Sequence, residues 1–134
     1  MKITILTVGT RGDVEPCLAL ALGLNRAGYE TTLATGTNFA SFVTGRGVRF
    51  APIRADFFAF FQSADGQALL ARNRPALFRP LPAAVMEMRR RMLEDSWAAV
   101  RSADAIVYHP RVLGAYDAAE KLGIPPSSPC TCRR

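Results

Sequence analysis

Two short stretches of this 134-residue sequence carry side chains that could act on a bound ligand. The first is Gly9-Thr10-Arg11-Gly12-Asp13, in which two glycines flank a cation and precede a carboxylate. Glycines let the backbone turn sharply and approach a ligand closely, so this loop can present backbone N–H groups and a carboxylate together. An aspartate held there can take the proton of a hydroxyl about 2.6–3.2 Å away, which is general-base chemistry.

The second stretch is His109-Pro110, which follows the apolar segment 105–108. His109 is predicted either to contact a bound ligand or assist Asp13, or to be a loop or packing residue. Asp13 also has a structural alternative, because aspartate is a favoured helix N-cap and a capping carboxylate near a positive helix end is a weakened base. Arg11 is expected to meet a ligand phosphate or only solvent. All these alternatives stay open at the level of the sequence.

The surrounding elements must bring these residues together. The apolar, β-branched segment 3–8 predicts a buried strand, and a helix opens near Pro16 and ends before Gly28. Further strands are predicted at 29–35, 48–53 and 105–108, a fifth begins at 124–125, and helices are predicted at 39–44, 83–102 and 112–122. Alternating strands and helices are typical of a parallel α/β sheet, in which ligands bind at the carboxyl ends of the strands.

The stretch 54–82 follows no clear period, and Phe57, Phe58, Phe60 and Phe61 crowd its start. One interpretation is a wandering connection whose phenylalanines cover the sheet. The other is a variable segment that lines an apolar acceptor pocket, since four rings supply a large apolar surface. The residues alone favour neither.

Composition narrows the class of protein. The net charge of +6 comes mainly from arginine, and a run at 89–91 lies beside Glu87, Glu94 and Asp95. This run predicts either peripheral contact with an anionic membrane or a solvated helix face, and no nucleic-acid motif accompanies it. No apolar segment is long enough for a membrane span, and no signal peptide is expected. The three cysteines predict neither a disulfide scaffold nor a metal site, and their low, odd number favours a reducing cytoplasm.

Three segments together resemble the N-terminal, acceptor-side domain of B-type glycosyltransferases. They are the octapeptide 9–16, the turn Gly45-x-Gly47 with Phe50-x-Pro52-Ile53, and the late segment 118–125. The sequence is most similar to the sterol and lipid glucosyltransferases and the glycopeptide-antibiotic glycosyltransferases. The resemblance implies a Rossmann-like parallel sheet flanked by helices, forming an incomplete N-terminal half of a two-domain enzyme.

The resemblance also implies a function and a site. The enzyme would transfer a hexose, with inversion, from a nucleoside diphosphate sugar to a lipid-like or polycyclic alcohol. Asp13 would be the base, and Gly9, Thr10, Arg11, Gly12 and His109 would line the cleft. A C-terminal domain would bind the donor, and no cofactor is expected. Residues 1–125 are then a truncated acceptor domain, 126–134 a disordered or non-native tail, and the chain alone is expected to be inactive.

Two other functions compete with this one. The opening unit also suits a dinucleotide-binding domain of an oxidoreductase, but the loop lacks the third glycine of G-x-G-x-x-G, and Thr35-Gly36-Thr37 offers no acid for a ribose. A non-catalytic fragment that binds only lipid or a partner chain is the third possibility.

Overall fold

A computed structural model describes residues 1–71 and 82–124, without the side chains of Phe57, Phe58 and Leu69. Four parallel strands form one sheet in the order β3-β2-β1-β4. The strands are β1 (Lys2–Leu6), β2 (Glu30–Gly36), β3 (Arg49–Ile53) and β4 (Ala105–Tyr108). The first strand lies inside the sheet, between β2 and β4. Its residues Ile3, Ile5 and Leu6 are buried, as expected for a strand covered on both faces.

Helices cover both faces of the sheet. They are α1 (Arg11–Arg26), α2 (Ala40–Thr44, after a 3₁₀ turn at Thr37–Phe39), α3 (Phe57–Gln62), α4 (Ala64–Leu70), α5 (Ala83–Val100) and α6 (Ala115–Lys121). One core lies between the sheet and α1 with α2, around Ile5, Leu18 and Leu33. The other lies between the sheet and α5 with α6, where Leu6 of β1 packs in one cluster with Met92 and Val100 of α5. The predicted parallel α/β class is confirmed.

Helix α1 begins earlier than the sequence suggested. The prediction placed its start near Pro16, but the helix starts at Arg11 with Thr10 as N-cap, and Pro16 lies inside it. Pro16 has no N–H to donate to the carbonyl four residues back, so the helix gives up one hydrogen bond there. The start of the helix is fixed by a separate contact, in which the Asp13 carboxylate accepts the N–H of Thr10.

The stretch after β3 is more regular than its sequence predicts. Helices α3 and α4 occupy much of it, and the Asp56 carboxylate accepts the N–H of Ala59 at 2.9 Å to cap α3. Residues 72–81, the continuation of the predicted fifth strand after Ile124, and the tail 126–134 lie outside the described residues. Across the described ranges, no helix combines the length and apolar character needed to cross a membrane.

The chain runs outward from β1 in both directions across the sheet. It passes to β2 and β3 on one side, and later returns to β4 on the other side of β1. The segments that leave β1 and β4 therefore diverge, which makes a crevice at the carboxyl edge between them. Asp13 follows β1, and His109 and Arg111 follow β4, so all three lie at this crevice.

Candidate functional site

A cavity of about 1000 Å³ opens at the carboxyl edge of the sheet. Every strand contributes to its wall through the residues that follow it: Gly9 after β1, Asn38 after β2, Asp56 after β3 and Arg111 after β4. This is the position at which open α/β sheets bind their ligands.

One wall of the cavity is apolar. It is built by Phe60 and Phe61 of α3 and by Val85, Met88 and Met92 of α5. The two rings meet edge to face with centroids 5.5 Å apart. This arrangement agrees with the apolar-pocket interpretation of the phenylalanine cluster, whose other two side chains lie outside the described residues. The wall suits the hydrophobic body of a ligand.

Asp13 lies beside the cavity rather than in its wall. Three residues that do line the cavity contact it or pack against it, namely Gly9, Thr10 and Arg111. Its Oδ2 accepts the backbone N–H of Thr10 at 2.8 Å and the Thr10 hydroxyl at 3.0 Å. Its Oδ1 lies 3.6 Å from Nη1 of Arg111, and no donor in residues 1–71 or 82–124 makes a hydrogen bond to it. One oxygen is thus held by the turn, and the other is available.

Gly9 makes room for this carboxylate. It has φ of +136°, a conformation that side chains rarely adopt, and an added Cβ would clash with Oδ2 and lie 3.0 Å from Cγ of Asp13. The Asp13 side chain therefore packs directly against the Gly9 backbone. A glycine is required at position 9 both by the turn and by the carboxylate.

The surroundings of Asp13 favour its ionised form. Burial acts to raise its pKa, but hydrogen bonds from the backbone and hydroxyl of Thr10, and the nearby charges of Arg111 and His109, outweigh burial. The pKa of Asp13 is therefore below its ordinary value of 3.8. The carboxylate is fully charged at neutral pH, and it is a weaker base than an unperturbed aspartate.

His109 and Arg111 are organised by the end of β4. The N–H of His109 donates to the Leu6 carbonyl at 2.8 Å, which continues the pairing of β4 with β1. Its Nδ1 accepts the N–H of Arg111 at 3.2 Å, which links the ring to the backbone of the following turn. His109 thus fixes the turn that brings the Arg111 guanidinium to Asp13.

The other residues predicted for the site occupy the N-terminus of α1. Thr10 and Arg11 line the cavity, whereas Gly12 is exposed in the first turn and is not part of the wall. Arg11 donates to Glu15 at 3.3 Å, and its Cζ lies 4.9 Å from the centre of the Phe42 ring. Arg11 therefore already has partners on its own side of the cavity.

Sequence reasoning missed four polar residues of the wall: Asn38, Asp56, Arg89 and Arg111. Arg89 had a detectable signal, because positions 85, 88, 89 and 92 share one face of a helix. Arg111 had none, since its contact with Asp13 depends on β4 lying next to β1. Within the described part of the chain, no group of three or more His, Cys, Asp or Glu side chains could hold a metal ion.

Comparison with known proteins identifies the family. Residues 3–128 match the glycosyltransferase family 28 N-terminal domain. The chain belongs to this family. A sterol 3-beta-glucosyltransferase of Arabidopsis thaliana is 36% identical over 93% of this chain and 21% of its own length. A sterol 3-beta-glucosyltransferase of Sclerotinia sclerotiorum is 31% identical over 93% of this chain and 8% of its own length.

Solved glycosyltransferases share the fold of this family 28 domain. SsfS6 of Streptomyces sp. SF2575 superimposes with a TM-score of 0.62 at 22% identity, over 93% of this chain and 38% of its own. The same enzyme is also known complexed with thymidine diphosphate, with a TM-score of 0.56. The Rossmann-like fold of a glycosyltransferase N-terminal domain is thereby confirmed, and the dinucleotide-dependent oxidoreductase is not supported. The chain spans about a fifth or less of the length of the curated relatives it matches.

Proposed function

We propose that this chain is the acceptor-binding half of an enzyme that transfers a hexose from a nucleoside diphosphate sugar to a lipid-like or polycyclic alcohol. The observation that carries the proposal is the cavity at the carboxyl edge, with its apolar wall beside the available Oδ1 of Asp13. The family membership and the sterol substrate named for two relatives support the acceptor class. The thymidine diphosphate complex of SsfS6 supports the donor class.

In the proposed reaction, the acceptor's apolar body lies against Phe60, Phe61 and Met88, and its hydroxyl points toward Asp13. The hydroxyl oxygen attacks the anomeric carbon from the face opposite the leaving group, which inverts that centre. The bond from the anomeric carbon to the nucleoside diphosphate breaks, and the diphosphate keeps the bonding electrons. Oδ1 of Asp13 takes the hydroxyl proton.

The position of Asp13 fits this role with one condition. Oδ1 must approach the hydroxyl to about 2.6–3.2 Å, and catalytic hydrogen bonds often reach that distance only when substrate is bound. The guanidinium of Arg111, 3.6 Å from Oδ1, lies on the cavity side of the carboxylate. Its long, exposed side chain can move aside, since a pair this far apart in water gives little stability.

The donor side of the reaction requires a second domain. A chain of 134 residues that spans at most 21% of these relatives holds the acceptor half in this proposal, and a C-terminal domain holds the sugar nucleotide. We therefore expect the chain alone to be inactive. No cofactor takes part in the proposed reaction.

The test joins the chain to a family donor domain and supplies UDP-glucose labelled in the sugar. Labelled glycoside should form from a sterol with a free 3-hydroxyl and should not form from its 3-O-methyl ether. The chain without the donor domain should give none. Product from the methyl ether, or no glycoside from any hydrophobic alcohol, would contradict the proposed function.

Peripheral contact with an anionic membrane and a cytoplasmic location remain predictions. Arg90 and Arg91 of α5 form ion pairs with Glu87, and Arg54 pairs with Asp95 at 2.8 Å. These pairs neutralise two of the three arginines in the 89–91 run, which favours the solvated-face alternative. Co-sedimentation with vesicles containing phosphatidylglycerol should therefore be weak and should disappear at 0.5 M salt, which is roughly the range where surface charges are screened.

A further inference from the structure

The charged residues of the cavity wall are unbalanced. Arg11, Arg89 and Arg111 line it, against a single acid, Asp56. The Asp56 carboxylate is already engaged in capping α3. An apolar cavity with more arginines than acids in its wall complements a ligand that is hydrophobic in its body and negatively charged at one end.

Among these cations, Arg89 is the one without a carboxylate. Arg11 pairs with Glu15 at 3.3 Å, and Arg111 faces Asp13 at 3.6 Å. All eleven acidic side chains of the sequence lie within the described ranges, since 72–81 and 125–134 contain no Asp or Glu. None of the eleven lies within ion-pair distance of Arg89, so no acidic side chain of the chain pairs with this guanidinium.

The neighbours of Arg89 in sequence behave differently. Arg90 donates to Glu87 at 2.9 Å and also pairs with Glu94, and Arg91 donates to Glu87 at 2.7 Å. They lie on the outer face of α5, whereas Arg89 follows Val85 and Met88 on the stripe that faces the cavity. A run of three arginines is therefore divided by the helical period into two paired surface residues and one unpaired cavity residue.

We infer that the acceptor held in this cavity is an anionic amphiphile, a hydrophobic alcohol that also carries a carboxylate or phosphate, and that Arg89 binds the anionic group. This inference rests on the proposed function and narrows its acceptor class. A guanidinium can bind either a planar carboxylate or a tetrahedral phosphate through two parallel hydrogen bonds, because both groups present two oxygens side by side.

Cholate and methyl cholate provide the test, because they share one polycyclic alcohol and differ only in the carboxylate. Binding of each to the chain is measured by titration calorimetry at low salt. We expect cholate to bind about tenfold more tightly than the ester, the effect of one charge-assisted contact. Arg89→Gln should remove most of that difference and leave methyl cholate unchanged, and Arg89→Lys should keep part of it.

Arg90→Gln is the matched control, since it removes the same charge from the same helix outside the cavity. It should leave both affinities unchanged, with thermal unfolding used to show that every variant is folded. Equal binding of cholate and its ester, or equal losses in Arg89→Gln and Arg90→Gln, would overturn the inference and leave the proposed function standing. Failure of both ligands to bind would contradict the inference and the apolar acceptor cavity together.

Discussion

Arg111 and Asp13 face each other across the crevice between β4 and α1, with Nη1 of Arg111 3.6 Å from Oδ1 of Asp13. The residues are 98 positions apart in the chain, and they meet because β4 pairs with β1. Oδ2 of the same carboxylate is occupied by Thr10. The two oxygens of Asp13 thus have different surroundings. Oδ2 is held by Thr10 at the start of α1, whereas Oδ1 faces Arg111 beyond the end of β4.

Removing the charge of Arg111 should make Asp13 more basic. Arg111 is one of the groups that hold the Asp13 pKa below 3.8, so Arg111→Gln raises this pKa toward its ordinary value. In an enzyme extended by a donor domain, the acid limb of the kcat/KM profile should move to higher pH. Arg101→Gln, an exposed charge at the end of α5, is the control and should leave the limb in place. If the acid limb of the Arg111→Gln profile stays at the native pH, Arg111 does not influence the pKa of Asp13.

Gly9→Ala should destabilise the domain. The new Cβ would clash with the Asp13 carboxylate, and the φ of +136° is strained for alanine, so we expect a loss of about 1–3 kcal/mol in the free energy of unfolding. Urea denaturation measures this. Gly23→Ala is the matched control, because Gly23 lies inside α1 with no atom within 4 Å of the added Cβ. Gly23→Ala should stabilise by about 0.5–1 kcal/mol, and a similar loss in both variants would contradict the argument.

The contact between Arg54 and Asp95 should control stability in acid. Asp95 on α5 accepts the N–H of Arg54 at 2.7 Å and its guanidinium at 2.8 Å. Burial acts to raise the pKa of Asp95, but these hydrogen bonds and the Arg54 charge lower it below 3.8 overall. The folded state therefore holds this proton less tightly than the unfolded state does. The contact is fully stabilising above pH 3.8, and its contribution is lost as the pH falls through the lowered value.

Asp95→Asn tests that linkage. It should lower the melting temperature at pH 7 by a few degrees, and it should flatten the dependence of the melting temperature on pH in the acid range. Glu94→Gln is the control, because Glu94 is half exposed and lies 3.7 Å from Arg54. It should change the melting temperature little. An acid transition of Asp95→Asn identical to that of the native chain would be the contrary result.

The sequence predicted the sheet well for a physical reason. Segments such as 3–8 and 105–108 are short, apolar and β-branched, and buried parallel strands require that composition. Helix α5 was equally readable, because Val85, Met88 and Met92 repeat at intervals of three and four. These features depend on local pattern alone, so one sequence was sufficient to find them.

The start of α1 was misplaced although a signal for it was present. Thr10-x-x-Asp13 has the spacing of a capping box, which marks a helix beginning at Arg11. The prediction relied on Pro16 as a first-turn residue and therefore placed the start five residues too late. Helices α3 and α4 were missed because a cluster of phenylalanines has no helical period. Their starts are marked by capping residues, Asp56 for α3 and Ser63, whose hydroxyl accepts the N–H of Gly66 at 3.2 Å, for α4. In both regions the capping residue carried more information than the apolar pattern.

The candidate site was predictable only in part. The loop 9–13 was identified because glycines and a carboxylate after a buried strand form a local pattern. The contribution of Arg111 was not predictable, since it depends on which strands pair. Arg89 was readable from the helical period but was grouped with its two paired neighbours as surface charge. The catalytic role of Asp13 stays a prediction, and so do the binding roles of Gly9, Thr10, Arg11, Gly12 and His109.

The turnover of Asp13→Asn in an enzyme extended by a donor domain tests the central claim most directly. The asparagine oxygen can still accept the Thr10 N–H, so the fold should be retained and acceptor affinity should change little. If Oδ1 of Asp13 takes the acceptor proton, kcat should fall by at least about 100-fold. A kcat within a few-fold of the native value, with acceptor binding intact, would show that Asp13 only caps its helix.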